Sequence, residues 1–338
     1  LLKQGKKTFK AVVVSDGISF GEAPLGASET HRSGKKEVEA MSTYCNLKRS
    51  NVMVLFGVTF IFLAVTGCGT LSNGRGWGQD AIYPVDFKKI PRAALNALAD
   101  PQTFVPAAGA LVFGLSKWDK KVSHWATTHT PIFGSTSNAE NDKLYLEIPL
   151  YAEAFITALA TPSGDDSKDW VYSKLKGLAV EGAAELVTAG ATTLLKDTTG
   201  RTRPNGSSNK SFPSGEAAAA FSSVALSNRN LDSIELPQEV KIPLKVVNIV
   251  LGTGVAWARV EAGAHYPSDV LAGAALGNFL SATVHDSFLN IPKDKTYGFS
   301  ILPLKGGAMA GLYFTLNPGA IDQSSFIYRS SMASDPNH

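Results

Sequence analysis

The sequence predicts an all-α protein, a helical bundle carrying a small C-terminal β-hairpin. Three observations lead there. From about Asp86 to His285 apolar residues recur at helical spacing between Pro, Gly and Ser breaks. The last helices of that stretch are rich in Ala and Gly, which lets helices approach closely. Near the end the period changes, and "TYGFSILPLKGGAMAGLYFTL" reads as two short strands joined at Gly306-Gly307.

Taken in order, residues 1–67 read as a leader. Residues 1–40 lack pattern and are expected to be upstream of the true start. Met41 then opens a short basic region with Lys48 and Arg49, followed by an apolar run from Val52 to Val65. That run is too short for an ordinary spanning helix and suits a secretory signal. It ends in "LAVTGC", which resembles a bacterial lipoprotein cleavage box, with Cys68 as the lipidated first mature residue; a signal anchor that is never cut is the alternative. Residues 68–85, Gly-rich and polar, read as a tether.

The helical domain is expected over 86–290. "DFKKIPRAALNALAD" and "PQTFVPAAGALVFGLSKWDKKVSHWATTH" supply the first helices, the second broken near Lys117. "AENDKLYLEIPLYAEAFITALA" is interrupted or bent at Pro149. After the loop "TPSGDDSKD" comes the longest helical stretch, "WVYSKLKGLAVEGAAELVTAGATTLLK". A loop almost without apolar residues, "DTTGRTRPNGSSNKSFPSG", precedes three more helices: "EAAAAFSSVALSN", "EVKIPLKVVNIVLGTGVAWARV" and "PSDVLAGAALGNFLSATVHDSF". The hairpin and an exposed tail fill 291–338.

Composition narrows the function. Nine basic against five acidic residues up to Gly67 leave +4 there, so the remaining chain carries −1 of the overall +3. The basic balance belongs to the leader, and nucleic-acid binding has no electrostatic support. The two cysteines are Cys45, in the leader, and Cys68, expected to be lipidated, so no thiol is left for a disulfide, a nucleophile or a zinc cluster. His124 and His129, five apart, do not share a helix face and make a poor metal pair.

Three polar clusters sit at predicted helix ends. "KDTTGRTRP" places Lys196 at a helix C-terminus and Arg203 seven residues on; alone, they are a dipole-favoured cation and a solvated loop charge. "FPSGE" puts Ser214 and Gly215 at a helix start, where outward N–H groups cradle an anion, although a capping turn is the commoner meaning. "ARVEAGAHYPSD" brings Arg259, His265 and Asp269, the last in a helix's first turn as a capping acid would be.

In this order the three clusters resemble the tripartite signature of the type 2 phosphatidic acid phosphatases: K-x6-R-P, then P-S-G-H, then S-R-x5-H-x3-D. That superfamily includes bacterial acid phosphatases and vanadium haloperoxidases. The resemblance spans about Lys196 to Asp269. It implies a helical bundle of the acid phosphatase/haloperoxidase type, in which Lys196, Arg203 and Arg259 surround the phosphoryl oxygens. Ser214 and the Gly215 backbone add neutral donors. His265 is implied as the nucleophile, with Asp269 fixing its tautomer. No cofactor is implied for a phosphatase, and the three cations supply the positive field without a metal.

Two positions depart from the signature. Ala258 stands where the family has Ser, and Glu216 where it has the His that protonates the leaving group. A carboxyl does that work when burial raises its pKa, whereas three neighbouring cations pull the other way. Glu261 is a second acid in the cluster, able to compete for the cations or to share a proton with Glu216.

The leading expectation is a metal-independent phosphatase of phosphomonoesters or lipid phosphates, weakened or acid-shifted by Glu216. The alternatives are a non-catalytic phosphate-binding or structural lipoprotein, and a vanadate-dependent haloperoxidase with His265 as vanadium ligand. Lipidation at Cys68 implies a membrane surface as partner. Gly69 after it, in such lipoproteins, is compatible with export across the inner membrane and a place on the periplasmic face of the outer membrane.

Overall fold

The computed structural model describes residues 67–81 and 87–289, with the backbone of 297–304 and 307–314. All belong to the second of the two units into which the chain divides, Phe60–His338. The expected signal region, with Cys45 and the run Val52–Val65, lies outside the described residues, as does the tail after Phe314.

Among the described residues nine helices follow one another: α1 (Lys89–Ala99), α2 (Pro101–Leu115), α3 (Trp118–His129), α4 (Thr136–Asp142), α5 (Leu144–Ala160), α6 (Ser167–Thr199), α7 (Gly215–Ser233), α8 (Gln238–Glu261) and α9 (Pro267–Phe288). Their ends follow local chemistry. Asp100 caps α2 by accepting from the Gln102 amide at 2.9 Å, with Pro101 at the first position, where its missing N–H is not needed. Ser135 caps α4 through Asn138 N at 3.0 Å. Asp166 caps α6, and Gly200 ends it in the left-handed region at φ 58°.

Two expectations are refined here. The break between α2 and α3 falls at Ser116–Lys117, as the sequence indicates. The segment containing Pro149 is interrupted at Lys143 instead, and Pro149 lies inside α5.

α7 is the axis of the unit. Nearly every side chain from Ala217 to Leu231 is buried, and α5, α6, α8 and α9 pack around it. The Ala and Gly content explains how. A Cβ on Gly273 would stand 2.4 Å from the Ser214 carbonyl oxygen, and one on Gly277 would stand 2.1 Å from that of Ala218. These glycines, four apart on one face of α9, let it lie against α7 backbone to backbone. Phe221, Val260 and Val270 fill the adjacent core with Ala126 of α3. Polar contacts thread the same interfaces: Arg229 of α7 reaches Asp286 of α9 at 3.1 Å and the α2 cap Asp100 at 3.3 Å.

The stretch expected as a tether is docked over residues 67–81. Trp77 is fully buried, its amide donates to Pro162 O at 2.7 Å, and its ring lies against Gly177 of α6 beneath the Lys174 ammonium. Trp170 Nε1 donates to Gly67 O at 2.7 Å. One large aromatic and a glycine-sized slot outweigh the polar composition of this segment. Cys68 is exposed.

α6 and α8 are long and apolar enough to cross a membrane by length and composition, a test that core helices also pass. Beyond α9 the backbone is extended over Tyr297–Leu304 and Gly307–Phe314.

Candidate active site

The polar loop between α6 and α7, the last turns of α6 and α8, and the first turns of α7 and α9 meet at one end of the bundle. Lys196, Arg203, Ser214, Gly215, Glu216, Arg259 and Asp269 lie on them, and His265 lies in the short loop between α8 and α9. Lys196, half-buried in the last turns of α6, has its Nζ 3.4 Å from where a Cβ of Gly215 would stand. Glycine at 215 therefore leaves room for the ammonium beside the first turn of α7. Burial lowers the Lys196 pKa, opposed by the charge of Glu216 and reinforced by Arg203 and Arg259. Arg203 is partly buried, and among the described residues its Nε has no hydrogen-bond partner.

The α7 turn is both a cap and a cradle. Ser214 Oγ accepts from the Ala217 amide at 3.3 Å, and its own N–H donates to Asp269 O at 2.9 Å. The Ser214 amide is thus committed to α9 rather than facing outward as the sequence predicts. Gly215 begins the helix, where first-turn N–H groups lack intrahelical partners.

His265 and Arg259 are both buried. His265 Nδ1 lies 2.6 Å from Ser211 O, a geometry in which Nδ1–H donates and Nε2 faces the site. Asp269 Oδ2 is 4.0 Å from the same Nδ1. The expected orienting contact is therefore indirect: Ser211 Oγ donates to Asp269 at 2.5 Å, and the Ser211 carbonyl holds the ring. Asp269 also accepts from Tyr266 N at 2.9 Å, so it caps α9 as well.

Glu216 lies among the cations. Its Oε1 is 3.1 Å from Arg259 Nη2, and its Oε2 is 3.5 Å from His265 Nε2, a charge contact at the limit of hydrogen bonding; among the described residues neither of those last two atoms has another partner. Burial raises the Glu216 pKa, but His265 and Arg259 together overcome it and hold the carboxyl well below the usual carboxylate range. Burial pushes His265 down, against the pull of Glu216. Glu261 takes no part. It is fully buried and accepts from the Ile132 amide at 2.9 Å, so it pins the loop between α3 and α4; among the described residues it makes no ion pair.

The structure adds residues that the sequence reading missed. Arg259 Nη1 donates to Glu140 Oε2 of α4 at 2.6 Å, and Lys143, at the α4–α5 break, lies 3.1 Å from Glu140 and 3.9 Å from Glu216. Arg201 spans Asp119 of α3 and Asp269, at 2.6 Å each, with its guanidinium over the Tyr266 ring. Glu140 and Lys143 carried no signal, being ordinary helix charges far upstream. Arg201 sits inside the K-x6-R-P spacing, and the buried acids are what distinguish it from a loop charge.

Fold and site together define a helical bundle with Lys143, Lys196, Arg203, Arg259 and the buried His265 gathered at one end, around the start of α7. Residues 178–292, from within α6 to just past α9, match the family model of the PAP2 superfamily, and over this segment the chain is similar to that superfamily. Its members usually hydrolyse phosphate esters. Comparison with curated proteins and with solved structures gives no match.

Proposed function

We propose that this protein is a metal-independent phosphatase of phosphomonoesters or lipid phosphates, working through a phosphohistidine on His265. The observation that carries the reading is the meeting of His265 Nε2, Arg259 and Glu216 within 3.5 Å beside Lys196 and the first turn of α7. Lys196, Arg203 and Arg259 hold the phosphoryl oxygens, and Ser214 and Gly215 fix the turn beneath them. His265 Nε2 attacks phosphorus as the bond to the alcohol oxygen breaks, and that oxygen takes a proton from Glu216. Water then attacks phosphorus, gives a proton to Glu216, and the P–N electrons return to Nε2. Asp269 and Ser211 keep the ring in the tautomer this requires. The reaction asks for no cofactor, because the cations neutralise the charge that a metal would otherwise meet.

The same reading makes Cys68 a lipid-bearing residue, with the domain at the periplasmic face of an outer membrane. Its exposure beside the docked segment supports an anchor with little slack. The extended segments Tyr297–Leu304 and Gly307–Phe314, whose backbones lie in antiparallel register, form the small hairpin appended to the bundle. A second reading, a non-catalytic phosphate-binding lipoprotein, draws on the low pKa of Glu216, which leaves little acid to protonate a leaving group near neutrality.

Phosphate release from monoester and lipid substrates between pH 4 and 8 tests both. The expected result is slow turnover, higher in acid, that falls at least about a thousandfold in His265→Ala. Glu216→His is expected to raise the neutral rate by about a hundredfold, within the usual range for a general acid. Turnover that survives His265→Ala would remove the phosphohistidine. No release by the wild type, with release by Glu216→His, would put the binding reading first.

A further inference from the structure

The four charges around Glu216 form a closed ring. Glu216 pairs with Arg259 at 3.1 Å, Arg259 with Glu140 at 2.6 Å, Glu140 with Lys143 at 3.1 Å, and Lys143 with Glu216 at 3.9 Å. Two cations balance two anions, so the ring is neutral as it stands. The Glu216 oxygens face the guanidinium and imidazole that a tetrahedral oxyanion would need. A dianion cannot reach Arg259 and His265 while the carboxylate keeps them. Lys143, with its side chain 16 % exposed, has the longest contact in the ring and is the cation beside Glu216 with reach to spare.

We propose that oxyanions enter this site by exchange for the Glu216 carboxylate, with uptake of a proton, and that Lys143 is the positioning residue that holds Glu216 displaced. The proposal rests on the cluster being an oxyanion site and adds how that site fills. The groups facing Glu216 set the proton balance. Arg259 on α8 and His265 before α9 hold it ionised, and Lys196 on α6 and Lys143 add to the positive field. Glu140 on α4 and Glu147 on α5 oppose them, while the Tyr151 phenol on α5, its pKa raised by burial, carries no charge in this range. When the dianion takes Arg259 and His265, what remains around Glu216 is burial, acidic neighbours and the dianion itself, against the lysines Lys196 and Lys143. The first three raise a carboxyl pKa, so the displaced group takes a proton or shares the Lys143 ammonium.

The exchange explains how a carboxyl held ionised in the free protein becomes an acid only once phosphate is bound. Lys143 would then affect binding only through Glu216, which separates a positioning role from a simple added charge.

Sulfate is a suitable probe, since it stays a dianion across the range. Calorimetric titration of the full chain with sulfate at pH 5 to 8, in buffers of different ionisation enthalpy, reads both affinity and protons taken up. The expected wild-type result is uptake of close to one proton at pH 7 and affinity that falls about tenfold per pH unit there, at least about a hundredfold from pH 5 to 8. Glu216→Gln is expected to bind at least tenfold more tightly at pH 8 with most of the proton uptake gone. Glu216→Ala carries the same expectation if the Gln side chain misfolds. Lys143→Met is expected to weaken binding about tenfold at pH 8 in the wild type and by less than threefold in the Glu216→Gln background. Unchanged proton uptake in Glu216→Gln would assign the proton to His265 and overturn the exchange. Equal losses from Lys143→Met in both backgrounds would overturn its positioning role. Failure of every variant to bind sulfate would instead sink the oxyanion-site reading itself.

Discussion

The candidate site is built on buried charge, and the bundle beneath it carries buried charge of another kind. Glu181, on α6 four turns before Lys196, is almost wholly enclosed, and burial pushes its carboxyl up to about 8 against the pull of the nearby Asn230 amide. Its folded pKa thus lies above its unfolded value near 4.5. Below about pH 4.5 both states are protonated. Between there and about pH 8 the folded state holds a proton that the unfolded chain releases, so stability declines as pH rises, by up to about 1.4 kcal/mol per pH unit. Glu181→Gln keeps the shape and removes the titration. Its melting temperature is expected to match the wild type near pH 5 and to exceed it by several degrees at pH 8, at about 2–4 °C per kcal/mol for a domain of this size. Parallel pH profiles from melts followed by circular dichroism would show that Glu181 is ionised in the folded protein.

At the scale of elements, the site depends on how closely α9 lies against α7, because Asp269 O of α9 receives the Ser214 amide of α7. Gly277 sets that approach. A side chain there would run into the Ala218 carbonyl, which is backbone and cannot turn aside. Gly277→Val is expected to destabilise the fold by about 3 kcal/mol or more, as overpacking does, and to spread α7 from α9. A chemical-denaturation midpoint within about 0.5 kcal/mol of wild type would mean that the helices yield more easily than their contact suggests.

The elements also show where sequence reading reached and where it stopped. Lys196, Arg203, Arg259, His265 and Asp269 were legible because fixed spacing ties them to helix ends, and those ends are coded by local residues such as Gly200 and Pro267. Glu140 and Lys143 were not, since an ion pair with Arg259 across 119 residues leaves no local pattern. Ser211 was missed because it acts on His265 through its backbone carbonyl, which every residue has. Trp77 was lost in a Gly-rich stretch whose average polarity hid one aromatic and its matching Gly177.

At the scale of the described molecule, the two helices that end in the site also carry exposed apolar side chains along their length. Lys196 lies in the last turn of α6, and Arg259 lies in the last turn of α8. Upstream of them Leu186, Leu194, Val246 and Val250 are exposed, Leu186 to 75 %. Apolar surface of this extent on a single protein marks a place where water is excluded by a partner. On the lipid-phosphate reading proposed above, the partner would be a lipid layer, and α6, 33 residues and about 50 Å long, exceeds the roughly 30 Å of bilayer hydrocarbon. With the apolar faces against lipid, the cations at the helix ends come to headgroup depth, where a lipid phosphate would meet His265. The expected outcome is that the chain sediments with phosphatidylcholine vesicles and hydrolyses a lipid phosphate in them faster than a soluble monoester. Leu186→Glu with Val250→Glu is expected to release it from vesicles and remove that preference while leaving turnover of the soluble substrate within about twofold. If the double variant stays on the vesicles with its preference intact, these faces are not what meets lipid, and the membrane partner must be sought at Cys68 alone.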